Sequence, residues 1–225
     1  MTKKVIDGIQ SDSLIEFGLN GISREIRLLK KYHNYKNTIS HSITVAKLSV
    51  KIAEEIKRKN PKFKLNIKEI KTGALLHDID KYLTLKKNYK KALTFCKNLG
   101  IKKKKTEHGI LGAEILRKEG LGEYANYCLK HSFYQVLSYK KEPLSLKIVY
   151  FADKIAGDKS VVSIDKKMKI WIKRYSIEGS DLKKLKRALE EFKKIEEEII
   201  SKTGLNKKEF YKKLRLTLKN DKGLL

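Results

Sequence analysis

Apolar residues recur at intervals of three and four along much of the chain, which is the period of an α-helix. In the segment that starts at Ile39, two such stripes run side by side: Ile43, Ala46, Val50 and Ala53, and then Val45, Leu48, Ile52 and Ile56. Because the two stripes together cover a wide arc, we expect this helix to lie deep in a bundle. Asn60-Pro61 is expected to end it, since the residue before a proline disfavours the helical conformation.

Helical patterns continue on both sides of this segment. Asn66 is expected to cap a helix that carries Ile70 and Ala74 and continues to Lys81. Further helices are predicted over residues 13–32, 106–119 with Thr106 as N-cap, 123–135, onward from Glu142-Pro143, 181–202 and 206–218. No β-hairpin pattern is evident, so the chain is predicted to be all-α. The helices after about residue 163 are expected to pack across the bundle or against a partner subunit in a homo-oligomer.

Length and composition favour a soluble globular protein. The chain has 225 residues, of which 40% are hydrophobic and only 2 are proline, which excludes collagen-like, low-complexity and disordered classes. No apolar run approaches the length of a membrane span, and the N-terminus is too polar for a signal peptide. We therefore expect a cytoplasmic protein without a membrane partner.

The net charge and the number of cysteines exclude few classes of function. Lys and Arg number 53 against 26 Asp and Glu, which gives a formal net charge of +27, but only 7 of the 53 are Arg. A surface dominated by Lys fits non-specific attraction to polyanions, or simply a Lys-rich composition, and it supports an anionic substrate. Two cysteines, Cys96 and Cys128, are too few for a disulfide framework and are expected to be small buried side chains.

Polar groups occupy several positions where a buried apolar residue would be expected. Four of the five histidines fall at a helix start or on an apolar helix face, and Asp78 and Asp153 are placed in the same way. The histidines are His41, His77, His108 and His131. Any one of them alone would more often be a hydrogen-bonded core residue, but six together favour a metal site. Mixed imidazole and carboxylate ligands suit Fe, Mn or Zn better than Ca or Mg.

Four segments resemble, in order, the motifs of the HD-superfamily metal-dependent phosphohydrolases. The segment from Gly73 to Lys81, which contains His77-Asp78, looks like the central motif of that family. The other three are residues 40–46 around His41, residues 107–114 around His108, and residues 147–154 around Asp153. His108 and the later His131 are similar to the branch with two additional metal-binding histidines, and the core is similar to the HD module of ribonuclease Y-like and archaeal HD hydrolases.

The resemblance implies a fold and a ligand set. The fold would be an HD-domain helical bundle with additional C-terminal helices, divided into an N-terminal helical segment (1–36), a metal-binding core (37–160) and a C-terminal extension packed on the core (161–225). His41, His77, Asp78 and Asp153 would be the basic metal ligands. His108 and His131 would complete a dinuclear centre bridged by Asp78. One or two divalent ions are expected: Fe, Mn, Co, Ni, Zn or Mg.

The expected reaction is attack on phosphorus by a metal-activated hydroxide, with Asp78 and Lys81 as catalytic residues. Lys81 is also the candidate for holding a phosphate oxygen, and a solvated surface Lys is the alternative. Asp80 stands where the motif commonly has Gly; it is interpreted as a water-exposed acid at a helix end, with a partner to an imidazole as the alternative. Tyr134 is a candidate substrate contact for a nucleotide, although a core role is favoured. The glycine pair Gly109 and Gly112 is expected to let a neighbouring helix approach near His108.

Three functions fit these residues. The first is a metal-dependent phosphohydrolase acting on a phosphoester, most simply in a nucleotide. The second, motivated by the charge and by the similarity of the core to the HD module of ribonuclease Y, is an RNA-directed phosphodiesterase or an RNA-binding protein. The third is a non-catalytic metal-binding signalling module.

Overall fold

The computed structural model describes residues 22–101, 107–157 and 160–219. Within these ranges the chain forms ten α-helices, and its only β-type pairing is an isolated bridge between Ala156 and Val161. The helices are α1 (Ile22–Lys31), α2 (Lys36–Lys59), α3 (Ile67–Leu76), α4 (Tyr89–Asn98), α5 (Ile110–Lys118), α6 (Ala125–Leu129), α7 (Leu144–Ile155), α8 (Ile164–Tyr175), α9 (Gly179–Thr203) and α10 (Lys207–Lys219). Short 3₁₀ segments lie at Lys86–Asn88, Gly122–Tyr124 and Phe133–Lys141. The all-α prediction is confirmed.

Helix α2 is the centre of the bundle. Both of its apolar stripes are buried, and α3, α7, α9 and α10 pack around it. The helix ends at Lys59, where the sequence predicts it. The backbone N–H of Asn60 donates to Ile56 O, and Asn60 itself has an extended backbone. Asn66 caps α3 as expected, with its side chain accepting a hydrogen bond from the Glu69 N–H at 3.1 Å.

The C-terminal helices are packed onto α7 through aromatic rings. Phe192 of α9 stacks on Phe151 of α7 with ring centroids 5.4 Å apart, and Phe210 of α10 lies 6.0 Å from the same ring. Helix α9 ends at Gly204 in the left-handed conformation, and Asn206 caps α10, both as predicted. The boundaries predicted for the three segments stay predictions.

Two predicted helices are shorter than their patterns indicate. Helix α3 ends at Leu76 rather than continuing to Lys81, and residues 77–84 form successive turns in which Ile79 N–H bonds Leu76 O and Lys81 N–H bonds Asp78 O. The Asn34 side chain donates to Ile79 O at 2.7 Å, which occupies a carbonyl that a continuing helix would use. Lys81 therefore reaches its position through a turn and not along a helix face.

The helix predicted over 123–135 is broken after Leu129. Only α6 and two 3₁₀ segments form there, because the Cys128 carbonyl accepts from His131 and the Lys130 carbonyl accepts from the Tyr139 hydroxyl. Side chains thus take the acceptors that the next helical turn would need.

Two other predictions fall partly outside the described residues. Thr106 and residues 13–21 belong to the part of the chain that is not described. Helix α5 begins only at Ile110, after Gly109 with φ of 81°. Among the described helices, none combines the length and apolar character that crossing a membrane requires.

Candidate metal centre

Five separate elements bring six imidazole and carboxylate side chains to one place. His41 lies on α2, His77 and Asp78 follow the end of α3, His108 precedes α5, His131 sits in the break after α6, and Asp153 lies on α7. Their ligand-type atoms form two groups, each with all atoms within 4.8 Å of one another. We call His41, His77 and Asp153 the first triad, and Asp78, His108 and His131 the second triad.

The first triad is organised around the buried imidazole of His77. Its Nε2 lies 3.7 Å from Asp153 Oδ1, and His41 Nε2 lies 3.0 Å from the same oxygen. His77 Nδ1 bonds the Ala74 carbonyl at 2.8 Å. A carbonyl oxygen only accepts, so Nδ1 carries a proton and Nε2 is the ring nitrogen that faces the two carboxylates. None of the described residues hydrogen-bonds to that buried Nε2.

In the second triad, two imidazoles face each other. Nε2 of His108 and Nε2 of His131 are 2.8 Å apart, and they lie 3.2 and 3.3 Å from Asp78 Oδ1. His131 Nδ1 bonds the Cys128 carbonyl, and His108 Nδ1 bonds Asp80 Oδ1 at 2.9 Å. Both partners are acceptors, so Nδ1 of each imidazole carries a proton and its Nε2 faces inward. Burial lowers the pKa of His108, but hydrogen bonds to Asp78 and Asp80 outweigh burial and raise that pKa to about 9.

Asp78 connects the two triads. Its Oδ1 belongs to the second triad, while its Oδ2 lies 3.8 Å from His77 Nε2 of the first. One carboxylate therefore offers a different oxygen to each side of the centre.

The donor set fits divalent cations. Three imidazoles are held by hydrogen bonds of their Nδ1 atoms, so that Nε2 is the nitrogen available to a metal ion. Metal-ligating histidines are usually oriented in this way. The Nε2 atoms of His108 and His131 lie 2.8 Å apart, a contact that either one proton or a metal ion between them satisfies. The buried Nε2 of His77 has no hydrogen-bond partner among the described residues, which a bound cation would supply. Imidazole together with carboxylate suits first-row transition metals.

Charge on the two carboxylates supports the same conclusion. Burial raises the pKa of Asp78, but His77, His108, His131 and Lys81 outweigh burial and hold that pKa well below its ordinary value. Burial also raises the pKa of Asp153, and there Lys154, His41 and His77 reverse the effect. Both carboxylates are therefore anionic at neutral pH, the form in which a carboxylate binds a metal ion. Burial lowers the pKa of His131, which favours its neutral form.

Lys81 stands at the open side of the centre. Its Nζ lies 3.5 Å from Asp78 Oδ1 and 3.4 Å from His108 Nε2, and its side chain is 45% exposed. Lys154, by contrast, is buried with its Nζ on Asp153 Oδ2. Only Lys81 of these two cations is both next to the second triad and accessible to a substrate from solution.

The contacts described for Tyr134 are with Phe133 and with Lys184 of α9. Its ring lies 6.3 Å from that of Phe133, and Lys184 Nζ of α9 is 4.8 Å from its centroid. The predicted role of Tyr134 in substrate binding stays a prediction.

The interpretation of Asp80 as a water-exposed acid is wrong. Its side chain is fully buried and accepts hydrogen bonds from His108 Nδ1, Gly109 N and Gly112 N. The signal that could have found it is the glycine pair itself. A Cβ on Gly112 would lie 3.2 Å from the Asp80 carboxyl group, so Gly112 makes room for the carboxylate and for the Cys128 thiol, and Gly109 makes room for the Cys128 carbonyl. Cys96 and Cys128 are buried and free, as predicted.

Comparison with known proteins gives one result. The family model described as HD domain matches residues 38–158, which is more than half of the chain and contains all six triad residues. Neither a curated protein nor a solved structure matches the chain. The protein therefore belongs to the HD domain family.

Proposed function

We propose that this protein is a metal-dependent phosphohydrolase that uses a two-ion centre to hydrolyse a phosphoester in a nucleotide. HD domains are in general metal-dependent hydrolases, which supports the reaction class. The observation that carries the two-ion centre is the shared carboxylate: Asp78 lies between two triads, each of which offers two imidazoles. This arrangement agrees with the branch of the family that has two additional histidines.

Each triad would hold one ion, with Asp78 contributing to both. When bound, divalent cations supply a nucleophile at neutral pH and neutralise charge on the phosphoryl oxygens. The role of the protein is to orient these ligands, and it does so through the hydrogen bonds that fix His77, His108 and His131 by their Nδ1 atoms.

Lys81 would bind a non-bridging oxygen of the phosphoryl group. Its ammonium is close to Asp78 and His108 but nearly half exposed, so a phosphate can reach it from solution. A fixed cation at this place stabilises the negative charge of the phosphoryl group in the transition state.

The experiment that tests this function combines metal analysis with a substrate panel. The purified protein is analysed for bound elements and then assayed with Mn, Fe, Co, Ni, Zn and Mg against nucleoside monophosphates, dinucleoside polyphosphates and cyclic or linear phosphodiesters. We expect two equivalents of a transition metal per chain and turnover of at least one nucleotide class. Bound metal without turnover of any phosphoester would instead support a non-catalytic module.

Salt dependence separates a small nucleotide from RNA. The formal net charge of +27 favours RNA as a substrate or ligand, as does the resemblance of the core to the HD module of ribonuclease Y. An enzyme that recognises RNA through many phosphates should lose affinity by about 10³-fold or more between 50 and 200 mM salt, because counterions are released on binding. We expect the turnover of a small nucleotide to change far less over the same range.

A further inference from the structure

Asp80 occupies a pocket that is built for a carboxylate. The side chain is fully buried in the turns after α3, and its neighbours are the start of α5 and the imidazole of His108. A buried carboxylate is costly unless it is well hydrogen-bonded. Asp80 meets that condition with three donors, all from a segment 28 to 32 residues further along the chain.

The two oxygens of Asp80 have different partners. Oδ2 accepts the backbone N–H groups of Gly109 at 2.8 Å and Gly112 at 3.0 Å, and so caps the N-terminus of α5. Oδ1 accepts the Nδ1–H of His108 at 2.9 Å. The capping bonds alone would explain a structural role, but Oδ1 is directed at a metal-ligand candidate and not at the backbone.

His108 depends on Asp80 more than the other imidazoles depend on a side chain. Nδ1 of His77 and Nδ1 of His131 both bond backbone carbonyls within three residues of their own positions. His108 has a carboxylate from another segment as its acceptor, and its side chain is 30% exposed, so the surrounding packing constrains it less.

We propose that Asp80 is a positioning residue that holds His108 with its Nε2 directed at the ion of the second triad. This assignment rests on the proposed function, because it requires that the second triad binds a metal. A carboxylate on the far nitrogen of a ligating imidazole fixes its tautomer and raises its donor strength, and loss of such a partner typically lowers metal affinity 10–100-fold.

The variant Asp80→Asn distinguishes the role of Oδ1, which accepts from His108, from the role of Oδ2, which caps α5. The amide keeps one oxygen, which can still accept from Gly109 and Gly112. Its NH₂ group then faces the Nδ1–H of His108, and two donors oppose each other. Asp80→Asn should therefore disturb the orientation of His108 more than it disturbs the cap of α5.

Mn²⁺ titration by calorimetry tests the proposal with a readout that does not depend on turnover. For the wild-type protein we expect two binding events. For Asp80→Asn we expect one of the two binding events, the one at the second triad, to lose 10–100-fold in affinity. The other binding event should keep its wild-type affinity. In assays, the Mn²⁺ concentration for half-maximal activity should rise by the same factor, while the KM for the nucleotide at saturating Mn²⁺ stays the same.

Two further variants keep the test decisive. Gly112→Ala places a methyl group 3.2 Å from the Asp80 carboxyl group without changing any charge, and it should shift Mn²⁺ affinity in the same direction but less. Glu196→Gln is the matched control, because Glu196 is a buried carboxylate held by Lys207 and Tyr211 and it makes no described contact with either triad. It should lower the melting temperature without changing Mn²⁺ affinity.

The outcomes for Asp80 and for the proposed function are distinguishable. If the wild-type protein binds two Mn²⁺ and Asp80→Asn binds both with wild-type affinity while only its melting temperature falls, Asp80 is a helix cap and the positioning role is overturned. If the wild-type protein binds no Mn²⁺ in the second triad, the two-ion function is overturned and the role of Asp80 with it.

Discussion

Buried carboxylates occur in two regions of this molecule, and their neighbours differ. At the centre, Asp78 and Asp153 are surrounded mainly by imidazoles. At the contacts of the C-terminal helices, Glu55 is held by Lys51, Arg58 and Lys213, and Glu196 by Lys207 and Tyr211. Lys and Arg side chains and a hydroxyl group complete the second kind of site, whereas each carboxylate of the centre lies among imidazole Nε2 atoms that could hold a metal ion with it. We therefore expect the buried carboxylates to serve stability in the C-terminal region and metal binding at the centre.

The largest effect should come from removing an imidazole of the first triad. His77→Ala deletes the fully buried donor next to both Asp78 and Asp153, so we expect loss of at least one metal equivalent and a fall in kcat of about 10³-fold or more. Elemental analysis and steady-state kinetics measure the two quantities on the same preparation. Glu196→Gln, in the other region, should keep wild-type metal content and kcat. A His77→Ala variant that is metal-free and fully active would contradict the account.

Lys81→Met should have an intermediate effect that is confined to catalysis. The substitution keeps the length of the side chain and removes the ammonium near Asp78 and His108. We expect kcat/KM to fall by about 10²-fold with metal content unchanged, because in the proposed function the ammonium of Lys81 binds a phosphoryl oxygen and does not coordinate a metal ion. Lys81→Arg, which keeps the charge, should recover part of the activity. Equal rates for Lys81→Met and the wild-type enzyme would show that Lys81 is a solvated surface residue.

The smallest effect should come from Glu55, and it should depend on pH. Burial raises the pKa of Glu55, but hydrogen bonds from Lys213, Lys51 and Arg58 outweigh burial and lower it from 4.5 to about 2. A lowered pKa in the folded state adds stability that is present above pH 4.5 and is lost as pH falls towards 2. These partners are partly exposed, so we expect Glu55→Gln to cost about 1–2 kcal/mol at pH 7.

Urea denaturation of Glu55→Gln and the wild-type protein at pH 7, 5, 4 and 3 measures this difference. The gap in the free energy of unfolding should shrink steadily below pH 4.5, while metal content at pH 7 stays the same. A gap that is constant from pH 7 to pH 3 would show that the contribution of Glu55 is packing and not charge.

The sequence predicts most of the helices because their signals are local. The two apolar stripes of α2, the cap at Asn66 and the stop at Gly204 each depend on residues within a few positions of one another, and the structure has all three. The ends of α3 and α6 were not predictable in this way. Their free carbonyls are taken by Asn34 and Tyr139, which lie in other segments and have no periodic signature.

The candidate site also has a part that the sequence predicts and a part that depends on contacts between distant segments. The six triad residues can be listed from inward-facing histidines and acids together with the resemblance to the HD family, but the grouping into two triads with Asp78 between them needs coordinates. Asp80 shows the limit most clearly. Next to His77-Asp78 it reads as one more acid at a helix end, and only the return of the chain at Gly109 and Gly112 buries it against His108.

The central claim is that the two triads hold two ions with Asp78 between them. Anomalous diffraction at the manganese edge from crystals of the Mn²⁺-loaded protein tests it directly. We expect two peaks, one between His41, His77 and Asp153 and one between His108 and His131, with a different oxygen of Asp78 directed at each. A single peak, whether inside or outside the triads, or no peak at saturating Mn²⁺ would contradict the account.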